Sequence, residues 1–121
     1  MSPTEYAPKR KRAAAILSLI GNTRMIPLHF EKEGITVYAK CEFLNPSGSI
    51  KDRLAKTVLV DAESRGLLQD DSIILECTSG NTGIALSMLG TAMGYRVTIL
   101  MSEGASQERR MLIRQLGAEL I

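Results

Sequence analysis

Apolar residues fall into short runs along the chain, separated by turns rich in glycine, asparagine and serine. Residues 13–20 have helix-forming composition, and Gly21 is the residue type that follows a helix end in a left-handed conformation. Gly21-Asn22-Thr23 is turn chemistry. Residues 25–30 suit a short strand and 31–34 a polar turn. Residues 35–43 alternate partly between apolar and polar, which predicts a second strand. Asn45-Pro46-Ser47-Gly48-Ser49 is a concentrated loop signal. Beyond it Ile50, Leu54, Val58 and Ala62 recur at every fourth position with Ala55 and Leu59 beside them. That spacing predicts a helix with one inward apolar face, ended by Gly66.

Residues 72–77 read as a buried strand and 78–81 as a loop. Residues 82–93 are apolar almost all round, so the helix they predict is buried, and Gly94 closes it. Residues 96–101 are β-rich. Ser106 is placed as the cap of a helix over 107–116, with Gly117 after it. Residues 118–121 resemble the opening of a further strand. Strand, loop and helix thus recur in order, which predicts an α/β fold: a parallel sheet with flanking helices and right-handed crossovers. Such a sheet needs both faces covered, and this chain carries few elements to do so. The expectation is a piece of a longer protein.

Composition narrows the function classes. With 121 residues, 45% apolar and 23% charged, the chain is of globular type and about one domain long. No apolar run approaches the roughly 20 residues that span a bilayer. A net charge of +2 and 4% aromatics, with no Trp, give little support to a nucleic-acid surface. Two cysteines and one histidine cannot supply the usual four Cys/His ligands of a zinc site, so no metal is expected. Cys41 and Cys77 lie inside apolar runs and read as small buried thiols in a reducing compartment. Residues 1–8 are polar and read as a loose arm, without the core of an export signal, which favours the cytoplasm. Lys9-Arg10-Lys11-Arg12 reads as the solvated flank of a helix. His29 has no acid pair in sequence and reads as a surface or satisfied histidine.

Two loops follow a strand and open a helix, the position where open α/β sheets bind ligands. The first, residues 45–53, puts Lys51 at a helix start beside Ser49, a candidate cap, and Asp52, which suits the helix dipole. Unpaired N–H groups there repel an ammonium group, and a lysine that is also desolvated loses its proton more easily, as imine chemistry requires. The plain alternative is a solvated lysine. The second, Thr78-Ser79-Gly80-Asn81-Thr82-Gly83, surrounds a helix start with glycines, hydroxyls and an amide. Backbone N–H groups there suit a carboxylate or a phosphate. The plain alternative is a capped turn without ligand. Neither loop matches G-x-G-x-x-G or G-x-x-x-x-G-K-[ST].

Three stretches carry a family resemblance: Ile20-Gly21-Asn22-Thr23; the run from Lys40 to Arg53, with Asn45-Pro46-Ser47-Gly48-Ser49-Ile50-Lys51-Asp52-Arg53 at its end; and the run from Glu76 to Ala85. Gly94-Tyr95-Arg96, Glu108-Arg109-Arg110 and Gly117-Ala118-Glu119 also fit. In these the chain resembles the cysteine synthase (O-acetylserine sulfhydrylase) and cystathionine β-synthase branch of the fold-type-II pyridoxal-phosphate enzymes. The resemblance runs in order over nearly the whole chain after residue 13. It implies the tryptophan synthase β-like architecture, a three-layer α/β/α arrangement incomplete in this chain. Residues 1–34 would be an arm and helix packing on a C-terminal domain outside the chain. Residues 35–121 would be a small α/β domain.

The resemblance also implies roles. Lys51 matches the lysine that holds pyridoxal 5'-phosphate as an imine. Thr78, Ser79, Gly80, Asn81 and Thr82 match the loop that receives the substrate α-carboxylate, and Asn81 also matches the partner of the cofactor's ring hydroxyl. Arg24 stands where the family often has proline. The family's glycine-rich phosphate cup and the group at the pyridine nitrogen belong to its C-terminal half. The implied reaction is β-replacement on O-acetylserine with sulfide to make cysteine, by a cytoplasmic homodimer. The alternative within the family joins serine and homocysteine. Alternatives of another class are a non-catalytic relic and a nucleotide-binding domain that holds phosphate on the Gly80 loop.

Overall fold

The computed structural model describes residues 9–121, so the arm expected over residues 1–8 lies outside the described residues. Two short helices open it, α1 (Lys9–Arg12) and α2 (Ala14–Leu19). In the basic run Lys11 and Arg12 are exposed, as a solvated flank requires. Gly21 at φ +89° then turns the chain out of α2.

Strands β1 (Met25–Phe30) and β2 (Ile35–Lys40) form an antiparallel hairpin, with Met25 opposite Lys40 and Phe30 opposite Ile35. This corrects the expectation that the first strand–loop–helix unit belongs to the parallel sheet: among the described residues β2 pairs only with β1. Four intervening residues let the two strands close on each other locally, without a crossover. The point between residues 34 and 35, expected to divide two units, falls in the turn of this hairpin. Every β1 residue is exposed, and β2 is exposed except at Ala39. His29 is among them, its Nδ1 2.9 Å from Thr36 Oγ1 across the hairpin. The second strand stops at Lys40 rather than residue 43, because Glu42–Leu44 makes a 3-10 turn.

Helix α3 (Lys51–Ser64) follows and Gly66 at φ +68° ends it. Its inward residues are Asp52, Ala55 and Leu59, whereas Ile50, Leu54 and Val58 are exposed. The predicted inward face is thus corrected by one residue, about 100° round the helix. Strand β3 (Ile73–Cys77), helix α4 (Asn81–Met93), strand β4 (Arg96–Leu100), helix α5 (Gln107–Gln115) and strand β5 (Glu119–Leu120) complete the chain. The strands form a parallel sheet in the order β3–β4–β5.

The core lies between this sheet and its helices. Ile74, Val97 and Ile99 share one sheet face and are buried against α4. Gly90 permits that approach: a Cβ there would lie 2.7 Å from Val97 Cγ2 and 2.8 Å from Ile74 Cδ1. Ile113 of α5 packs at the same side, fully buried with Leu89, Met93 and Ile99. The opposite face shows Ile73, Leu75, Cys77 and Leu100, all exposed. Residues 72–77 are therefore not a buried strand as predicted; Ile74 alone in β3 is buried. Cys41 is buried as expected and Cys77 is not, because it falls on the open face. Among the described residues no helix is long and apolar enough to cross a membrane.

Candidate active site

Helix α3 packs along α4, and the loop after α3 leads directly into β3. Tyr95, just past the end of α4, hydrogen-bonds Glu63 near the end of α3 at 3.4 Å. The two helices therefore run the same way, and both begin at the carboxyl edge of the sheet. That brings the two predicted loops to one edge, although no hydrogen bond joins them among the described residues.

Lys51 is the first residue of α3 and its side chain is exposed. Its backbone N–H donates to Ser49 Oγ at 3.1 Å, so Ser49 does satisfy a helix-start donor. The cap position itself belongs to Ile50. Asp52 is fully buried; its carboxylate accepts from the Ser47 N–H at 2.8 Å and from the Ser47 hydroxyl. The loop before Lys51 is thus closed onto the residue after it.

Behind this loop lies a cluster that sequence reading missed. Glu42 accepts two hydrogen bonds from Arg53, at 2.9 and 3.0 Å, one from the Thr23 hydroxyl at 2.7 Å and one from Asn45 Nδ2 at 2.9 Å. Arg53, and then Thr23, hold its carboxyl at about 2. A signal was present: a lone acid just after an apolar strand, with an arginine in the next helix's first turn.

At the second loop Gly80 is the cap residue of α4 and carries no side chain to satisfy the helix start. The Gly80 N–H donates to Thr78 Oγ1 at 3.2 Å, and the Thr78 N–H donates to the Leu100 carbonyl at 3.0 Å. Among the described residues the N–H groups of Ser79, Asn81 and Thr82 have no backbone partner, and the Ser79 hydroxyl and Asn81 amide bond no side chain. Ser79 and Asn81 are exposed, and Thr82 is half-buried. Arg109 of α5 donates to the Ser79 carbonyl at 3.4 Å, orienting that peptide and adding positive charge nearby. The loop is a set of donors without acceptors, which is the chemistry of an anion site. A carboxylate or phosphate fits it. An accessible amine at Lys51 fits an aldehyde-bearing cofactor on the same edge. Among the described residues no three His, Cys, Asp or Glu side chains cluster as metal ligands.

Comparison with known proteins shows what the chain is similar to. The chain is 47% identical over 104 residues to cysteine synthase B of Escherichia coli (strain K12), covering 84% of this chain and 34% of that protein. It is 47% identical over 110 residues to cystathionine beta-synthase of Apis mellifera, covering 88% of this chain and 22% of that one. The crystal structure of O-ureido-L-serine synthase superposes with a TM-score of 0.83 at 50% identity, over 88% of this chain and 34% of that chain. The chain thus spans about a third or less of the relatives it matches, and its fold is that of the fold-type-II pyridoxal-phosphate enzymes. Residues 16–121, which include both loops and the cluster around Glu42, match the family described as pyridoxal-phosphate dependent enzyme, and the chain belongs to that family.

Proposed function

We propose that this chain supplies the cofactor lysine and the substrate-carboxylate loop of a pyridoxal-phosphate-dependent β-replacement enzyme that makes cysteine from O-acetylserine and sulfide. One observation carries the reading: an accessible lysine at one helix start and unpartnered donors at the neighbouring helix start lie at the same sheet edge. Lys51 would hold the cofactor through Nζ, and Asn81 would lie at its ring hydroxyl, as the family resemblance implies. Pyridoxal phosphate, when bound, supplies the electron sink for chemistry at the amino acid's Cα.

The remaining steps belong to the chain's own groups. The N–H groups and hydroxyls of residues 78–82 receive the α-carboxylate and fix the amino acid's orientation. With the amino acid bound, Lys51 Nζ would be the group that accepts the Cα proton as general base. Acetate would leave from Cβ with the bonding pair, hydrosulfide would add there, and the proton held on Lys51 would return to Cα. We read the whole protein as a cytoplasmic homodimer, on the strength of the family resemblance. A second reading keeps the same residues and changes the incoming nucleophile, as the names of two of the relatives suggest. Product analysis separates cysteine, cystathionine and O-ureido-L-serine.

The test is borohydride reduction of the full-length protein purified with pyridoxal phosphate, followed by peptide mapping. The cofactor is expected on Lys51. Lys51→Ala removes both the attachment and turnover. Lys51→Arg does not restore them, because guanidinium stays protonated and cannot condense with an aldehyde. Cofactor found on another lysine refutes the reading.

A further inference from the structure

Thr23, Glu42, Asn45 and Arg53 come from three separated stretches and meet at the base of the β1–β2 hairpin. Thr23 lies two residues before β1 and Glu42 two residues after β2. Besides its bonds to Glu42, Arg53 Nη2 donates to Thr23 Oγ1 at 3.2 Å. Asn45, itself buried, donates to the Glu42 carbonyl at 2.8 Å and accepts from the Gly21 N–H at 2.9 Å. Gly21 leaves room for the guanidinium: a Cβ there would lie 3.1 Å from Arg53 Nη1. Lys40 Nζ reaches the Thr23 carbonyl at 2.8 Å, and the Cys41 N–H reaches the Arg24 carbonyl at 2.8 Å.

This cluster bears on Lys51 through Arg53, two residues along the first turn of α3. Asp52, between them, is anchored to Ser47. Both residues after Lys51 are therefore tied inward, one to the preceding loop and one to the hairpin base, while Lys51 itself points to solvent. A planar guanidinium bound along one edge by a carboxylate has little rotational freedom. From this geometry we infer that Glu42 and Arg53 are positioning residues for Lys51: their pair fixes the first turn of α3 and so the direction in which the amine leaves the helix. The inference rests on Lys51 being the cofactor lysine. The low value of Glu42 keeps the pair charged at ordinary pH.

The test uses Glu42→Gln and Arg53→Lys in the full-length protein. Gln keeps the shape without the charge, and Lys keeps the charge without the fork. Two quantities are read: the rate at which pyridoxal phosphate attaches at Lys51, trapped by borohydride, and amide hydrogen exchange across residues 47–54 and β4. Misplacing a reacting group by about 1 Å costs up to roughly a hundredfold in rate. Each variant is expected to attach at least about tenfold more slowly and to exchange faster over 47–54 but not in β4. The double variant is expected to be no slower than the worse single one, because the pair acts as one unit. An attachment rate within about twofold of wild type overturns the inference, and so does slower attachment with unchanged exchange over 47–54 or with equal rises in both segments. Wild-type attachment at a different lysine is a separate failure: it overturns the proposed function, and the exchange measurement still decides whether the pair holds the helix start.

Discussion

Glu42 accepts from Arg53, Thr23 and Asn45, and these donors lower its carboxyl from 4.5 to about 2. A carboxylate lowered on folding stabilises the fold fully above its unfolded value, and the contribution is lost as pH falls through the folded value. Stability is therefore expected to decline between pH 4.5 and about 2, and Glu42→Gln to flatten that decline, as read from denaturant midpoints across the range. Ser79 is a different case. It stands one residue before the cap position of α4 and its hydroxyl caps nothing. Ser79→Ala is expected to leave unfolding stability within about 0.5 kcal/mol and cofactor attachment intact. On the proposed function, loss of one hydrogen bond to the substrate carboxylate, about 1.5 kcal/mol at the low end, is expected to weaken O-acetylserine binding roughly tenfold. A spectral titration with an unchanged midpoint would move the carboxylate elsewhere. Lys51 and residues 78–82 were legible as contiguous motifs at helix starts. The Glu42 cluster left only the trace of an acid after a strand and an arginine at the next helix start; that they pair was not legible, because the partners of Glu42 lie 19 and 11 residues away in sequence.

Helix α4 is apolar around its circumference because it touches α1, α2, α3, α5, β3 and β4. Such a helix shows itself in sequence by having no polar face. Helix α3 carries two adjacent apolar stripes, and periodicity alone could not choose between Leu54/Val58 and Ala55/Leu59. The smaller stripe faces inward, since Ala55 and Leu59 allow α3 to lie close along α4. Gly90 tests this kind of contact. Alanine is the better helix former by about 1 kcal/mol. Yet its Cβ would sit 2.7 Å from Val97 Cγ2, with Ile74 Cδ1 at 2.8 Å, inside a packed interface. Overpacking there costs about 1–3 kcal/mol. Gly90→Ala is expected to lower stability by about 1 kcal/mol in urea unfolding, and a raised midpoint would show that the interface relaxes.

For the molecule as a whole, the helices bury one face of the parallel sheet and leave Ile73 at 50% and Leu75 at 65% exposure on the other. The hairpin is apolar and exposed as well, with Met25, Ile26, Leu28, Phe30, Ile35 and Val37 open. Apolar surface of this kind associates. The 121-residue chain by itself is expected to self-associate. Leu75→Ser weakens that association at least about tenfold, one buried leucine being worth about 1.5–3 kcal/mol. Its unfolding free energy stays within about 0.5 kcal/mol, since the side chain is mostly exposed in the monomer. Sedimentation of a wild-type monomer at high concentration would contradict this. The sequence by itself determined the spans of α4, β4 and α5 to within one residue, the glycine-ended turns, and the two helix-start loops with Lys51 and residues 78–82. Those features arise from periodicity and backbone conformation within a few residues of chain. Only the tertiary structure decided that β2 closes on β1, which stripe of α3 and which face of β3 turn inward, and that Thr23, Glu42, Asn45 and Arg53 meet behind the lysine. Those outcomes are set by burial and hydrogen bonding between distant residues, where several pairings suit the local pattern equally and the packed whole selects one.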